Sequence, residues 1–315
     1  MGIKILGTGR ALPQRIIDNN ELGQSVDTSD EWIRSRTGIG QRYKCEGEEN
    51  EKTLAIAAAK EIILDACKRE FINKNEIGVV VVATSTAEHA FPSTACMVCS
   101  ALDLDSEVIA FDITAACSGF LYGLEIVRSL LENSKKKYGL LIGSEHLTKI
   151  LDKNDRTTCV LFGDGAAGVL IKNDESIYVH KAWAKGDLDS LYCNGIGKEE
   201  TYLHMDGKAV FKNAVKAFEQ AITEVIAESE IKLTDVDLFV THQANERIID
   251  YVRKKHPEVA EKFYVNIERY ANTSAASIPI ALDELNKAGR LNSGSKILCV
   301  AFGAGFTWSG CLFAM

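Results

Sequence analysis

The sequence predicts an α/β protein built by using one folding unit twice. Three observations carry that expectation. Short runs of β-branched and aliphatic residues alternate with longer helix-like stretches, as where the run 78–83 follows the helical pattern of 53–68. Residues 75–84 and 234–242 share a plan, an acidic turn and then an apolar strand ending in small or polar residues. Each half closes on a strand that enters a Phe-Gly-x-Gly turn, at Phe162-Gly163-Asp164-Gly165 and again at Phe302-Gly303-Ala304-Gly305.

The elements follow in chain order. Residues 1–6 read as a strand that begins at once. Pro92-Ser93-Thr94 reads as a helix start, and the strand-like run 108–113 leads through small residues into a helical pattern from Leu121. Runs 138–143 and 296–301 are apolar at nearly every position, which predicts strands buried on both faces. A polar break at Lys172-Asn173-Asp174-Glu175 sets the expected boundary between halves at residues 1–172 and 173–315. With only four prolines and no Ser/Gly-rich or charged tract, no flexible linker is expected and the halves should pack as one body.

Composition excludes several classes of function. A chain of 315 residues that is 46% hydrophobic can bury a sizeable core and is not a disordered segment. Its formal charge of -8 opposes phosphate backbones, and the longest basic run, Lys135-Lys136-Lys137, reads as the solvated end of a helix, so no nucleic-acid partner is expected. No apolar run approaches the roughly 18 to 20 residues that span a bilayer. Neither secretion nor membrane insertion is therefore expected. Nine irregularly spaced cysteines fit reduced thiols in the cytoplasm, most of them buried as small apolar side chains.

The chemistry centres on Cys117, which sits among small residues between a strand and a helix. A thiol at a helix N-terminus feels free N–H groups and the positive end of the dipole, which favour the thiolate. The same turn could hold a cysteine for packing alone, so partners must decide. His242 in Thr241-His242-Gln243-Ala244-Asn245 and Asn272 in Ala271-Asn272-Thr273-Ser274 both fall at strand ends in the second half. Singly, the histidine reads as a cap or core residue and the asparagine as an N-cap. Together with a cysteine they form a set suited to thiol-based acyl transfer.

The strings 112–120, 242–245 and 272–277 resemble the three active-site motifs of the β-ketoacyl-acyl-carrier-protein synthase III family. The resemblance extends to 30–39, 91–96, 162–166 and 302–308, and so covers essentially the whole chain. It implies a thiolase-like fold of five layers, αβαβα, with the nucleophilic cysteine in the first half and the histidine and asparagine in the second. Four departures are visible: Ala271 stands where the family usually has glycine, Ala304 replaces the middle residue of a frequent triple-glycine turn, and the stretches 143–149 and 206–208 differ in detail from the usual pattern where similarity implies substrate contacts.

What the resemblance implies about activity is specific. Cys117 takes an acyl group from an acyl-CoA primer, and malonyl-acyl-carrier protein then loses carbon dioxide to supply the carbon nucleophile. His242 and Asn272 would donate hydrogen bonds to the thioester oxygen of the malonyl group, and the backbone N–H groups of Cys117 and Ala304 would form the oxyanion hole. Thr28, Trp32, Arg36 and Arg156 resemble the positions that grip the adenine and phosphates of CoA, with Phe211 and Asn245 along the pantetheine channel. Phe91 resembles the residue that crosses a homodimer interface to shape the partner's acyl pocket. Arg247, Lys254 and Lys255 form a basic patch for an acidic carrier protein, against the bland reading of a solvated helix face. No metal and no redox cofactor is needed, acyl-CoA being a substrate.

The competing readings are a condensing or acyl-transfer enzyme of secondary metabolism with a different starter, a noncatalytic scaffold, and a thiol hydrolase. Two further signals are set aside. Gly163-Asp164-Gly165-Ala166-Ala167-Gly168 has dinucleotide-binding spacing, but a strand rather than a helix is expected after it. Cys96-Met97-Val98-Cys99 has half of a zinc pattern without a second pair, and reads as two buried thiols on a helix.

Overall fold

Residues 2–315 are described in the computed structural model, and Met1 lies outside them. The first half runs β1 (Gly2–Ala11), α1 (Asp30–Thr37), α2 (Glu51–Cys67), β2 (Ile77–Ala83), α3 (Thr94–Ala101), β3 (Ile109–Ile113), α4 (Gly119–Glu132), β4 (Tyr138–Glu145) and β5 (Gly165–Asp174). The second runs β6 (Tyr178–Ala184), α5 (Gly207–Ser229), β7 (Leu238–Thr241), α6 (Glu246–Lys255), α7 (Ser277–Lys287), β8 (Lys296–Gly303) and β9 (Thr307–Ala314). Shorter strands and single helical turns connect these elements.

The duplication read from sequence is visible in the sheets. One sheet has the order β1-β5-β4-β2-β3 and the other β7-β8-β9-β6. In the first, β2 and β4 are parallel, while β4–β5 and β5–β1 are antiparallel. The second repeats this series, with β7–β8 parallel and β8–β9 and β9–β6 antiparallel. Only the counterpart of β3 is reduced, to a single parallel bridge between Phe239 and Phe263.

Hydrophobic patterning explains the layers. Alternate residues of β2 face opposite sides, so Val79 and Val81 enter a central core while Val80 and Val82 enter an outer one. The central core is filled by α4 and α7, through Phe120, Leu121, Leu124, Ile278 and Leu282. Helices α2 and α3 cover the far side of the first sheet, and α5 and α6 cover the far side of the second. The result is helix, sheet, helix pair, sheet, helix. Strand β4 is buried throughout and β8 at all but its first residue, as their unbroken apolar runs require.

Local chemistry sets where helices begin. Asn50 and Thr53 form a capping box at the start of α2, and the Ser93 side chain accepts from Cys96 N at the start of α3. The cysteine expectation needs correction. Cys45, Cys159, Cys299 and Cys311 are buried, but Cys67, Cys96 and Cys193 are exposed. On α3 the inward face is Thr94, Ala95 and Val98, which turns Cys96 outward, so the Cys96/Cys99 pair is not a buried one.

Candidate active site

The two central helices begin at equivalent turns of the two halves, and both turns carry candidate chemistry. After β3 the chain makes a single helical turn, Ala116–Ser118, and continues as α4. Cys117 is therefore held at the entry to a 14-residue helix. Thr307 ties this turn down: its hydroxyl donates to Ala115 O at 3.0 Å, while the Ser118 hydroxyl donates to Thr307 O at 3.0 Å. Ala116 takes φ 45°, a left-handed conformation that turns the next residue out of the strand direction. Gly303, at the end of β8, lies so close that a β-carbon there would fall 2.6 Å from Cys117 N.

In the second half the turn Ser274–Ala276 precedes α7 in the same way. Asn272 stands just before it, 6% exposed. Its backbone is fixed to the neighbouring Phe-Gly-x-Gly turn by Asn272 N donating to Leu161 O at 2.9 Å and Gly163 N donating to Asn272 O at 3.0 Å. Its Oδ1 accepts from Ser274 N at 2.8 Å, which leaves the side-chain NH2 as the free end. A β-carbon on Gly143 would meet Ala275 O at 2.3 Å, so only glycine lets this turn lie against β4. The preceding Ala271 sits at φ 57° and ψ -160°, a region essentially reserved for glycine. This gives the physical reason for glycine at that position and identifies a strained alanine here.

His242 follows β7 directly. Its N–H donates to Val300 O at 2.8 Å, continuing the sheet ladder, and the side chain is 1% exposed. Nδ1 lies 2.7 Å from the Ser277 hydroxyl at the start of α7. Burial drives the imidazole down to about 3, so the ring is neutral across the working pH range. Gln243 locks the same turn through Thr241 O at 2.9 Å, Tyr264 O at 3.2 Å and Asn266 N at 3.0 Å.

Cys117, His242 and Asn272 line one cavity of about 110 Å³, with Phe211, Phe218 and Asn245 along its walls. Cys117 also borders a second, wider cavity of about 610 Å³ lined by Ser85, Ser274, Leu147, Leu203 and Ala304 among others. The thiol thus stands where two spaces meet. The low pKa expected of it is not what the site gives. Burial pushes the Cys117 thiol up to about 12, the Ser274 hydroxyl pulls against this, and the Glu145 carboxylate adds to it. Desolvation of the thiolate outweighs the helix terminus. Glu145, fully buried at the end of β4, accepts from Thr86 Oγ1 at 2.6 Å and from Ser85 N at 3.1 Å, and burial raises it to about 7.

Of the other sequence candidates, Phe211 and Asn245 line the inner cavity and Ala304 the wider one, whereas Thr28, Trp32, Arg36 and Arg156 line neither. Arg156 Cζ stacks 4.9 Å from the Trp32 ring, and Arg156 Nη1 donates to Asp27 O at 2.8 Å. Thr28 is partly buried beside them in the chain and Arg36 is exposed on α1. The aromatic and guanidinium faces therefore touch each other, and a flat base would have to part them. Asn245 lines the inner cavity and also caps α6, its Oδ1 accepting from Arg247 N at 3.0 Å. Arg247, Lys254 and Lys255 are exposed on α6, with Arg247 Cζ 5.9 Å from the Phe211 ring. Phe91 is 87% exposed.

Sequence reasoning missed four features. The strands Leu191–Cys193 and Leu203–Met205 pair as a hairpin whose Leu191 and Met205 wall the inner cavity; each is too short for a periodic signal. Ser277 was part of a motif but only the folded turn shows its contact with His242. Glu145 could not be told from a surface acid. Lys208, Lys212 and Lys216 are exposed at helical spacing on α5, on the helix that carries Phe211. The Gly163–Gly168 string enters strand β5 from Gly165, as expected, and supplies no helix N-terminus for a dinucleotide.

Comparison with known proteins agrees with this geometry. Residues 111–185 match the family described as 3-oxoacyl-[acyl-carrier-protein] synthase III, and residues 226–315 match its C-terminal counterpart. The chain is 43% identical to the β-ketoacyl-[acyl-carrier-protein] synthase III of Clostridium botulinum (strain 657 / Type Ba4), over 98% of this chain and 97% of the relative. The crystal structure of 3-oxoacyl-[acyl-carrier-protein] synthase III from Aquifex aeolicus VF5 superposes with a TM-score of 0.93 at 42% identity, covering 100% of both chains. That from Pseudomonas aeruginosa PAO1 gives 0.92 at 34% identity, covering 100% of this chain and 98% of the other. With a thiolase-like fold and near-complete coverage, the chain belongs to the β-ketoacyl-acyl-carrier-protein synthase III family of condensing acyltransferases.

Proposed function

We propose that this enzyme condenses an acyl-CoA primer with malonyl-acyl-carrier protein, releasing CoA and carbon dioxide, to give the 3-oxoacyl-acyl-carrier protein that starts fatty-acid synthesis. The observation that carries this reading is the meeting of Cys117, His242 and Asn272 around one cavity while Cys117 borders a second. A narrow channel on one side suits the pantetheine arm, and a wide space on the other suits the acyl chain.

In the first stage the sulfur of Cys117 attacks the primer thioester, its proton leaves with the departing CoA thiol, and an acyl-Cys117 remains. Because burial favours the neutral thiol, proton loss accompanies attack rather than preceding it. The tetrahedral oxyanion is held by the backbone N–H groups of Cys117 and Ala304. In the second stage the malonyl thioester oxygen accepts from Asn272 Nδ2 and from His242 Nε2. The Ser277 hydroxyl, by donating to Nδ1, keeps the Nε2 proton in place. As carbon dioxide departs, those two donors stabilise the enolate, which attacks the acyl carbon; the acyl–sulfur bond breaks, and the expelled Cys117 thiolate takes a proton from solvent to restore the thiol. Loss of one such donor typically raises a barrier by about 3 kcal/mol. No step requires a metal or a redox cofactor.

On this reading residues 1–172 supply the nucleophile and residues 173–315 the two donors. Thr28, Trp32, Arg36 and Arg156 bind the nucleotide end of CoA, the base parting Trp32 from Arg156, and Phe211 and Asn245 flank the pantetheine. Arg247, Lys254 and Lys255, with the lysine row of α5, receive the acidic carrier protein. The enzyme works in the cytoplasm as a homodimer in which Phe91 closes the partner's acyl cavity. Among the described residues no helix is long and apolar enough to cross a membrane.

Intact-protein mass spectrometry tests the reading directly. A panel of acyl-CoAs should leave an acyl adduct on the wild type and none on Cys117→Ala, and malonyl-acyl-carrier protein should discharge it as the 3-oxoacyl product. An adduct that forms but hydrolyses to free acid instead would make the protein a thiol hydrolase.

A further inference from the structure

Away from the reacting thiol, three side chains of unlike chemistry converge on one point. Cys45 follows the short strand Gln41–Lys44, His146 follows β4, and Asp164 stands in the Phe162-Gly163-Asp164-Gly165 turn. A sulfur, a ring nitrogen and a carboxylate oxygen from these three lie within 4.8 Å of one another. Cys45 is 6% and Asp164 0% exposed, while the His146 side chain, at 17%, forms the outer wall. The segments come from distant parts of the chain, and backbone bonds hold them in register. Cys45 N donates to Asp164 Oδ2 at 2.8 Å, Thr148 N donates to Asp164 Oδ1 at 2.9 Å, and His146 N donates to Thr86 Oγ1 at 2.8 Å.

The ring is the unsettled member. His146 Nδ1 is shielded from solvent without a hydrogen-bond partner, and Nε2 stands 3.9 Å from Asp164 Oδ2, too far for a hydrogen bond. A half-buried imidazole whose shielded Nδ1 lacks a partner carries a desolvation cost that a ligand at the site would remove. We propose that Cys45, His146 and Asp164 bind a divalent transition-metal ion of the zinc class, with water in the fourth position.

The donor set fixes the class of ion. A thiolate with an imidazole and a carboxylate suits a borderline-soft ion such as Zn2+, whereas Mg2+ and Ca2+ take oxygen ligands. On binding, the Cys45 S–H bond breaks, a sulfur–metal bond forms and the proton passes to solvent. Asp164 exchanges its contact with the thiol for one with the ion. The role is structural, because the ion would pin the turn whose Gly163 N–H holds Asn272 O at 3.0 Å. It would thus brace Asn272 from behind without touching substrate.

The test uses the full chain, freed of metal, reduced with a non-thiol reductant and titrated with Co2+ as the probe. The expected result is a single Co2+ per chain with a sulfur-to-cobalt charge-transfer band and the visible bands of four-coordinate cobalt, all displaced by Zn2+. Cys45→Ala and His146→Gln should each remove the band or weaken binding by more than about a hundredfold, beyond the loss usual for an outer-shell partner alone. Cys96→Ser should keep it. Zn2+ should also raise the melting temperature of the wild type and leave that of the two variants unmoved. A wild type without the band overturns the proposal, as does a band that survives in Cys45→Ala, which would belong to another thiol. His146→Gln changes a residue at the outer wall, so a folded His146→Gln protein with undiminished Co2+ affinity overturns it equally.

Discussion

On the proposed mechanism the Ser277 hydroxyl donates across its 2.7 Å contact with His242 Nδ1, which leaves Nε2 to face the substrate as the donor. Ser277→Ala removes the partner without emptying the cavity. Decarboxylation of malonyl-acyl-carrier protein should then slow by roughly fivefold to 150-fold, the effect of about one to three kcal/mol of lost hydrogen bonding. Acylation of Cys117, followed separately by mass spectrometry, should change far less. Equal losses in both stages would instead mean that the turn had collapsed. Glu145 gives a second test through pH. Its acid is raised to about 7 by burial from an ordinary value of 4.5, so the folded state holds a proton that the unfolded chain has released. That contribution is fully present below about 4.5 and is lost as pH rises through about 7. His242, lowered to about 3, has the opposite sign, its contribution being complete above its ordinary 6.5 and lost as pH falls. Glu145→Gln deletes only the first effect. The stability of Glu145→Gln relative to wild type should therefore climb between about pH 4.5 and 7 and level off above, measured by thermal melts across pH. A gap independent of pH would show that Glu145 is ionised throughout.

At the scale of elements, the strand ends do the positioning. Gly303 closes β8 against the Cys117 turn, and Gly303→Ala would place a methyl 2.6 Å from Cys117 N and 3.3 Å from its Cα. Both of those atoms belong to a backbone braced by Thr307, so the turn must move. A displacement on the order of 1 Å at a reacting centre can cost about a hundredfold in rate. Acylation of Cys117 should fall by roughly that factor while circular dichroism and the melting curve stay close to wild type, since β8 remains buried on both faces. What could be read from sequence divides along the same line. Elements with strong period or unbroken apolarity, such as β2, β4, β8 and α4, were legible, as were the motifs at their ends. The hairpin of Leu191–Cys193 with Leu203–Met205 was not, because three-residue strands carry no period. The thiol of Cys117 was misjudged for a different reason. A helix terminus is local and visible in sequence, whereas desolvation depends on everything packed around it.

For the whole molecule, the duplication leaves one asymmetry with a consequence. The first sheet ends on β3, a full strand, while its counterpart in the second half is only the Phe239–Phe263 bridge. As the edge of its sheet, β3 presents unpaired backbone groups, and Ile109 on it is 49% exposed. Phe91, on the segment that precedes α3, the helix packed beside β3, is 87% exposed. An apolar, unprotected strand edge is a liability in a monomer and a ready surface for pairing with a second copy. If the homodimer forms across β3, Ile109→Lys should bury charge at the joint and shift the protein to monomer, measured by light scattering on a sizing column. The variant should keep its far-ultraviolet circular dichroism, because Ile109 lies outside the core clusters. Its turnover with acyl-CoA primers should fall with the loss of dimer, as each acyl cavity would lose the phenyl ring of the other chain. A monomeric variant with unchanged primer kinetics would confine Phe91 to the surface and make each chain's acyl cavity complete in itself.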